Sequence, residues 1–117
     1  MNGKISITLG GELRHLWFNN YSRGEVKNLY GIDPSEIGKA FFEKAQANPF
    51  RAFEDLLWMG FIGYYYGSRQ EMPYSKQQIA EWVAEADNDE LVRVWNLWTE
   101  WSGVRELLSA NEKKSPS

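Results

Sequence analysis

The chain contains no cysteine and one histidine, His15. The missing cysteine excludes disulfide frameworks, thiolate zinc sites, iron–sulfur clusters and cysteine nucleophiles. With a single histidine, a transition-metal site would consist almost entirely of carboxylates, and a histidine base would have to be this one side chain. We therefore expect no cofactor, no metal site and no catalytic residue, and we interpret His15 as a surface residue of a strand.

Clustered positive charge and long apolar runs are also absent. The 117 residues include 13 Lys and Arg against 16 Asp and Glu, and the formal net charge is −3. The basic residues are scattered, so we expect no nucleic-acid partner. The most apolar stretch, residues 56–66, is about half as long as the roughly 20 residues that a membrane span needs. The first residues lack a signal-peptide pattern, which favours a cytoplasmic location and no membrane association.

Aromatic residues, by contrast, are abundant: the chain has six Trp, six Tyr and six Phe. A chain of this length supports one domain with a modest core. Trp and Tyr are seldom completely buried, so we expect some of these rings to form an exposed patch that binds another protein. The candidate partner-binding residues are Tyr64, Tyr65, Tyr66, Trp95, Trp98 and Trp101.

The first eighteen residues have the pattern of a β-hairpin. Residues 4–9 alternate between apolar and polar side chains, as a half-buried strand does. Gly10 and Gly11 can adopt the positive φ angles of a tight turn, and the apolar pattern resumes over 12–18. We predict an N-terminal hairpin over residues 4–18.

After the hairpin the apolar spacing becomes helical, and capping patterns mark five helix starts. The predicted caps are Ser22, Asp33, Asn48, Ser75 and Asp87. The fold class is therefore mainly α: an N-terminal β-hairpin followed by a compact bundle of about five helices over 19–110. Residues 1–110 form a single domain in this interpretation, and the polar residues 111–117 form a flexible tail.

Two of the predicted helices carry further information. The third, over 49–67, is apolar around most of its circumference and should be the central helix. Its three glycines predict close approach of another backbone or of rings; they are Gly60, Gly63 and Gly67. The last helix, predicted over 88–109, has an apolar seam that fits either an intramolecular bundle or a homo-oligomer. The seam consists of Val94, Leu97, Trp101, Val104 and Leu108.

The acidic residues fit structural roles better than catalytic ones. Glu81 and Glu85 lie on one helical face, which we interpret as a solvated face. Residues 87–90 resemble the start of a calcium loop, but Val92 and Trp98 occupy the positions that require Gly and Glu. Capping of the last helix explains these acids more simply. We therefore expect that the protein is not an enzyme.

Residues 4–18 and 52–64 together resemble the tail assembly chaperones of long-tailed bacteriophages and of gene-transfer-agent-like prophages. The matching positions are Gly10, Gly11, Phe18, Leu56, Leu57 and Gly60. The resemblance implies a non-enzymatic protein that keeps the tape measure protein soluble during tail assembly and helps recruit tail tube subunits. The alternative is a small acidic regulatory or inhibitor protein that binds one folded protein target.

Overall fold

The computed structural model of the protein describes residues 3–33 and 36–103. Within them, an antiparallel two-stranded hairpin precedes five helices, which confirms the predicted fold class. The strands are β1 (Lys4–Leu9) and β2 (Glu12–Trp17), and the helices are α1 (Asn20–Tyr30), α2 (Ile37–Ala47), α3 (Pro49–Gly67), α4 (Lys76–Glu85) and α5 (Asn88–Ser102). The predicted tail, residues 111–117, lies outside the described residues.

The hairpin has the predicted alternation. Its register pairs Lys4 with Trp17 at the open end and Leu9 with Glu12 at the turn. Gly10 and Gly11 adopt φ angles of 60° and 80°, which glycine reaches without steric cost. One face of the hairpin therefore packs on the helices, and its buried side chains are Ile7, Leu9 and Leu16.

The start of α1 differs from the prediction. Asn19 is the N-cap, and its side chain accepts hydrogen bonds from the backbone N–H groups of Tyr21 and Ser22. Ser22 closes the capping box by accepting from the Asn19 N–H at 3.1 Å. Ser22 is thus the third helical residue and not the cap, because Asn19 supplies an equally good acceptor three residues earlier. α1 ends at Gly31, which adopts a left-handed φ of 68°.

Three of the other predicted caps are confirmed. Asn48 caps α3, Ser75 and Gln78 form a reciprocal capping box on α4, and Asp87 caps α5. α2 begins at Ile37, four residues after the predicted cap Asp33, and its N-cap Glu36 makes no side-chain capping bond. Glu36 donates its N–H to the Asp33 carbonyl at 2.9 Å, and residues 34–35 lie outside the described residues.

Glu90 does not complete a capping box with Asp87. Its carboxylate instead accepts from the Thr8 N–H at 2.7 Å and from Arg93 at 2.9 Å, which joins α5 to β1. These two hydrogen bonds hold the pKa of Glu90 below its ordinary value.

α3 is the central helix, as predicted, and its glycines lie against β2. A Cβ atom on Gly63 would overlap the Trp17 carbonyl oxygen, and one on Gly60 would lie 2.9 Å from Leu16 Cβ. A Cβ atom on Gly67 would lie 2.6 Å from the Trp17 ring. The predicted close approach is therefore confirmed, and the partner is the second hairpin strand.

α5 packs with a different stripe from the one predicted. Leu91, Val94 and Trp98 are buried, whereas Leu97 and Trp101 are only half-buried, so the core-facing stripe is rotated from the predicted seam. The helix ends at Ser102 because Gly103 adopts a left-handed φ of 79°. The predicted end at 109 is therefore wrong. The seam residues Val104 and Leu108 lie outside the described residues.

Candidate functional site

The three consecutive tyrosines of α3 point in three directions, because neighbouring residues of a helix lie about 100° apart around its axis. Tyr64 lies beside the hairpin, with its ring 5.5 Å from that of His15. The hydroxyl of Tyr65 lies 2.9 Å from that of Tyr74 in the connection to α4. Tyr66 is 43% exposed, and its ring meets Tyr21 edge-on at 6.0 Å. The rings of Tyr64 and Tyr65 meet edge-on at 5.1 Å, whereas the ring of Tyr66 contacts Tyr21 and is the most exposed of the three.

The surroundings of Tyr65 make its hydroxyl a weaker acid than that of a free tyrosine. Partial burial and the hydrogen bond with Tyr74 raise the pKa of Tyr65 to about 12. The Arg14 guanidinium, 3.1 Å from the Tyr74 hydroxyl, also lies 3.9 Å from the centre of the Trp82 ring. This tyrosine pair thus belongs to a packed polar junction between the hairpin, α3 and α4.

The three tryptophans of α5 differ in burial, although the rings of Trp95 and Trp98 lie 6.0 Å apart. Trp98 is 1% exposed and its ring lies 4.3 Å from that of Phe41 at a tilt of 45°, so this predicted partner-binding residue is a core residue. Trp95 is half-buried, 6.3 Å from Phe53. Trp101 is half-buried beneath the guanidinium of Arg23, at 4.2 Å from the ring centre. These rings fill gaps between helices, and only parts of Trp95 and Trp101 reach the surface.

Apart from Tyr66, the large exposed apolar side chains of the described residues lie elsewhere, and the sequence analysis did not predict them. Phe50 and Leu13 are each 63% exposed, on α3 and β2 respectively. Tyr21 and Val92 are exposed as well. Phe50 lies in the first turn of α3, two residues after the cap Asn48 and before the apolar stripe that begins at Phe53. Its position outside that stripe is the sequence signal that could have indicated its exposure.

Phe50 borders a groove between α3 and α4. The groove has a volume of about 200 Å³ and is lined by Phe50, Glu54, Ala80, Val83 and Ala84. On the α4 side, Ala80 and Ala84 contribute only methyl groups to the lining, whereas Phe50 contributes a whole ring from α3. This is an apolar concavity with an acidic residue at its edge.

Asp55 forms a buried ion cluster that no sequence motif indicated. It is 4% exposed and accepts hydrogen bonds from Tyr30 at 2.8 Å, from Lys76 at 3.1 Å and from Lys44. Burial alone would raise the pKa of Asp55, but the bonds from Lys44, Tyr30 and Lys76 outweigh it and hold that pKa below its ordinary value. Burial and the Asp55 charge raise the pKa of Tyr30. The cluster ties α1, α2 and α4 to α3.

The remaining candidates for chemistry are at the surface. His15 is exposed, as predicted, and its Nδ1 lies 2.6 Å from the Ser6 hydroxyl. Glu81 and Glu85 are both exposed, which confirms the solvated face. Over residues 3–33 and 36–103, no three His, Cys, Asp or Glu side chains are placed to hold a metal ion. In the same ranges, no helix combines the length and the apolar character that a membrane crossing requires.

Comparison of the chain with known protein families, with curated proteins and with solved structures finds no match.

Proposed function

We propose that this protein is a non-enzymatic assembly chaperone that binds apolar segments of a larger client protein. In the family that residues 4–18 and 52–64 resemble, the client is the tape measure protein of a phage tail. Recruitment of tail tube subunits is the second part of this proposal.

One observation supports the proposal most directly: some large apolar side chains are exposed although others of the same size are buried in the core. Phe18, Phe61 and Trp98 are almost fully buried, so the fold is able to bury large rings. Phe50 and Leu13 nevertheless remain 63% exposed. Exposed side chains of this size are typical of surfaces that bind other proteins. Binding of an apolar client is the function that this distribution supports best.

Co-expression tests the proposal directly. In the source genome, a chaperone of this class is expected beside a tail tube gene and a very long tape measure gene. We expect co-expression to move the tape measure protein from the pellet into the soluble fraction, and we expect the two chains to co-purify. An unrelated acidic protein of similar size serves as the control.

Two results would contradict the proposal. One is a tape measure protein that stays insoluble in the presence of this chain. The other is tight binding to one folded protein without any effect on the solubility of an apolar client, which would favour the inhibitor alternative.

A further inference from the structure

α2 lacks the side-chain cap that the other helices of the described residues have. Its N-cap, Glu36, makes no side-chain capping bond, whereas the other four caps each make one. At its other end, the extended residue Asn48 is both the C-cap of α2 and the N-cap of α3. Rotation about the N–Cα bond of Asn48 would therefore reorient α2 and leave the cap on the Arg51 N–H in place.

One face of α2 makes two contacts of different chemistry with the rest of the fold. Phe41 and Lys44 lie on this face, because residues three apart are neighbours on a helix. Phe41 is 1% exposed, and its ring lies 4.3 Å from that of Trp98 and 5.8 Å from that of Trp95. Lys44 forms an ion pair with Asp55 of α3. α2 thus places one ring and one cation against α3 and α5.

Asp55 does not depend on Lys44 alone. Its side chain is nearly buried, and it also accepts hydrogen bonds from Tyr30 at 2.8 Å and from Lys76 at 3.1 Å. If α2 moved away, this carboxylate would remain paired, so the movement would leave no uncompensated buried charge. The same carboxylate could then accept a cation of another molecule in place of Lys44.

The surface under Phe41 is aromatic. The rings of Trp95 and Trp98 lie 6.0 Å apart, and Trp95 lies 6.3 Å from Phe53 of α3. We call Phe53, Trp95, Trp98 and Asp55 together the α2 cleft. Apolar clefts between helices typically bind the apolar face of an amphipathic helix. The helix that fills this cleft has a large apolar side chain followed three residues later by a cation, so α2 itself shows which chemistry the cleft accepts.

We propose that α2 is a lid helix whose place is taken by a helix of the client. The client helix displaces α2, inserts a Phe or Leu where Phe41 lies, and places a Lys or Arg on Asp55. This inference rests on the proposed function and adds the site and the chemistry of the bound segment. It also places the predicted partner-binding residues Trp95 and Trp98 in a cleft that α2 closes.

A fluorescent peptide with the sequence of residues 36–48 is the probe, because it carries the pattern of α2. Its binding to the full chain is measured by anisotropy. In the protein, Lys44→Gln breaks the ion pair of the lid and leaves Asp55 able to receive the lysine of the peptide. We expect the affinity to rise about fivefold or more, since more molecules are open. Lys27→Gln, at an exposed lysine of α1, is the matched control and should leave the affinity unchanged.

Altered peptides test the chemistry of the cleft on the Lys44→Gln protein. A peptide with Phe41→Ala should bind about tenfold more weakly, since a central aromatic anchor typically dominates an interface. A peptide with Lys44→Glu should lose a similar amount, because it places a carboxylate against Asp55.

Hydrogen exchange distinguishes opening of the lid from a general loss of stability. In the Lys44→Gln protein, we expect the amides of α2 to exchange about fivefold faster than in the wild type. The amides of residues 59–67, which pack against β2, should exchange at the wild-type rate. Equal acceleration in both segments would overturn the inference, because α2 would then open only when the whole fold opens.

Three further results would overturn it: equal peptide affinity of wild-type and Lys44→Gln protein, undiminished binding of the Phe41→Ala peptide, or a Lys44→Gln dimer in sedimentation. The dimer would assign the cleft to α2 of a second copy of this chain. Co-expression separates these failures from failure of the proposed function. If the wild-type chain solubilises the tape measure protein although the peptides bind without discrimination, the chaperone function stands and α2 is a fixed part of the fold.

Discussion

The two halves of α3 are built differently although they belong to one continuous helix. The C-terminal half, residues 59–67, presents glycines to β2 and approaches it so closely that a methyl group at Gly63 has no space. The N-terminal half, residues 49–58, holds the charged Asp55 cluster and leaves Phe50 exposed beside a groove. Tight backbone contact fixes the hairpin to the C-terminal half, whereas ion pairs of Asp55 tie the N-terminal half to the neighbouring helices.

Gly63→Ala should have the largest effect. The added Cβ would overlap the Trp17 carbonyl oxygen, and a backbone atom cannot move aside as a flexible side chain can. We expect a loss of about 3 kcal/mol or more in the free energy of unfolding, measured by urea denaturation. Gly24→Ala is the control, because Gly24 is in α1 and its added methyl group would have no neighbouring atom within 4 Å. It should stabilise by about 0.5–1 kcal/mol, and equal losses in both variants would contradict the close-contact explanation.

Asp55→Asn should have the next largest effect on the free energy of unfolding. It removes the charge that Lys44 and Lys76 bind, and we expect a loss of about 2 kcal/mol at pH 7. The folded state holds the pKa of Asp55 below that of the unfolded chain, so the ionised carboxylate stabilises the fold at neutral pH. That contribution is lost as the pH falls below about 4. The free energy of unfolding should therefore depend less on pH between about 5 and 2 in the variant than in the wild type.

The matched control for this change is Glu81→Gln, which removes one exposed acid from α4. Its effect on stability should be within about 0.5 kcal/mol. An acid-induced loss of stability that is the same in Asp55→Asn and wild-type protein would show that the buried cluster does not govern the pH dependence.

Asn19→Ala should cost about 2 kcal/mol, because it removes both the cap of α1 and a hydrogen bond of 3.0 Å from the Asn19 amide to the Gly63 carbonyl. Ser75→Ala removes only the cap of α4 and should cost about 1 kcal/mol. Thermal or urea unfolding of the two variants measures the difference. Equal losses would show that the link from Asn19 to α3 adds little.

Phe50→Ala should have the smallest effect on folding. The ring is 63% exposed, so its removal should change the free energy of unfolding by about 0.5 kcal/mol or less. Trp98→Ala, which empties a core position, should cost about 3–5 kcal/mol under the same conditions. A large loss in Phe50→Ala would place this ring in the folded core and would weaken its assignment to a binding surface.

Much of the architecture was predictable because local signals and packing agreed. Alternation over 4–9 and the turn glycines defined the hairpin, and the caps at Asn48, Ser75 and Asp87 defined three helix starts. The glycines of α3 predicted a close contact, although spacing alone did not identify β2 as the partner. Ser22 misled the prediction because a hydroxyl near a helix start fits two positions of a capping box, and tertiary contacts decided between them.

The surface was less predictable than the fold. Aromatic identity does not determine exposure: Trp98 is buried, while Phe50 is exposed, and both are large rings on helices. Asp55 looked like an ordinary helical acid, since its partners Lys44 and Lys76 come from two other helices. Such relationships depend on how the helices pack, which a single sequence does not record.

The hydrogen bond between Glu90 and Thr8 affects whether the hairpin edge can pair with a strand of another molecule. A two-stranded hairpin has unpaired N–H and C=O groups along its outer edges, and such edges can recruit strands from other molecules. Glu90 occupies the Thr8 N–H near the turn end of one edge and places a negative charge there. An incoming strand would have to displace this bond and bring its own backbone against the charge. Glu90 on α5 thus disfavours the addition of a further strand at this end of β1.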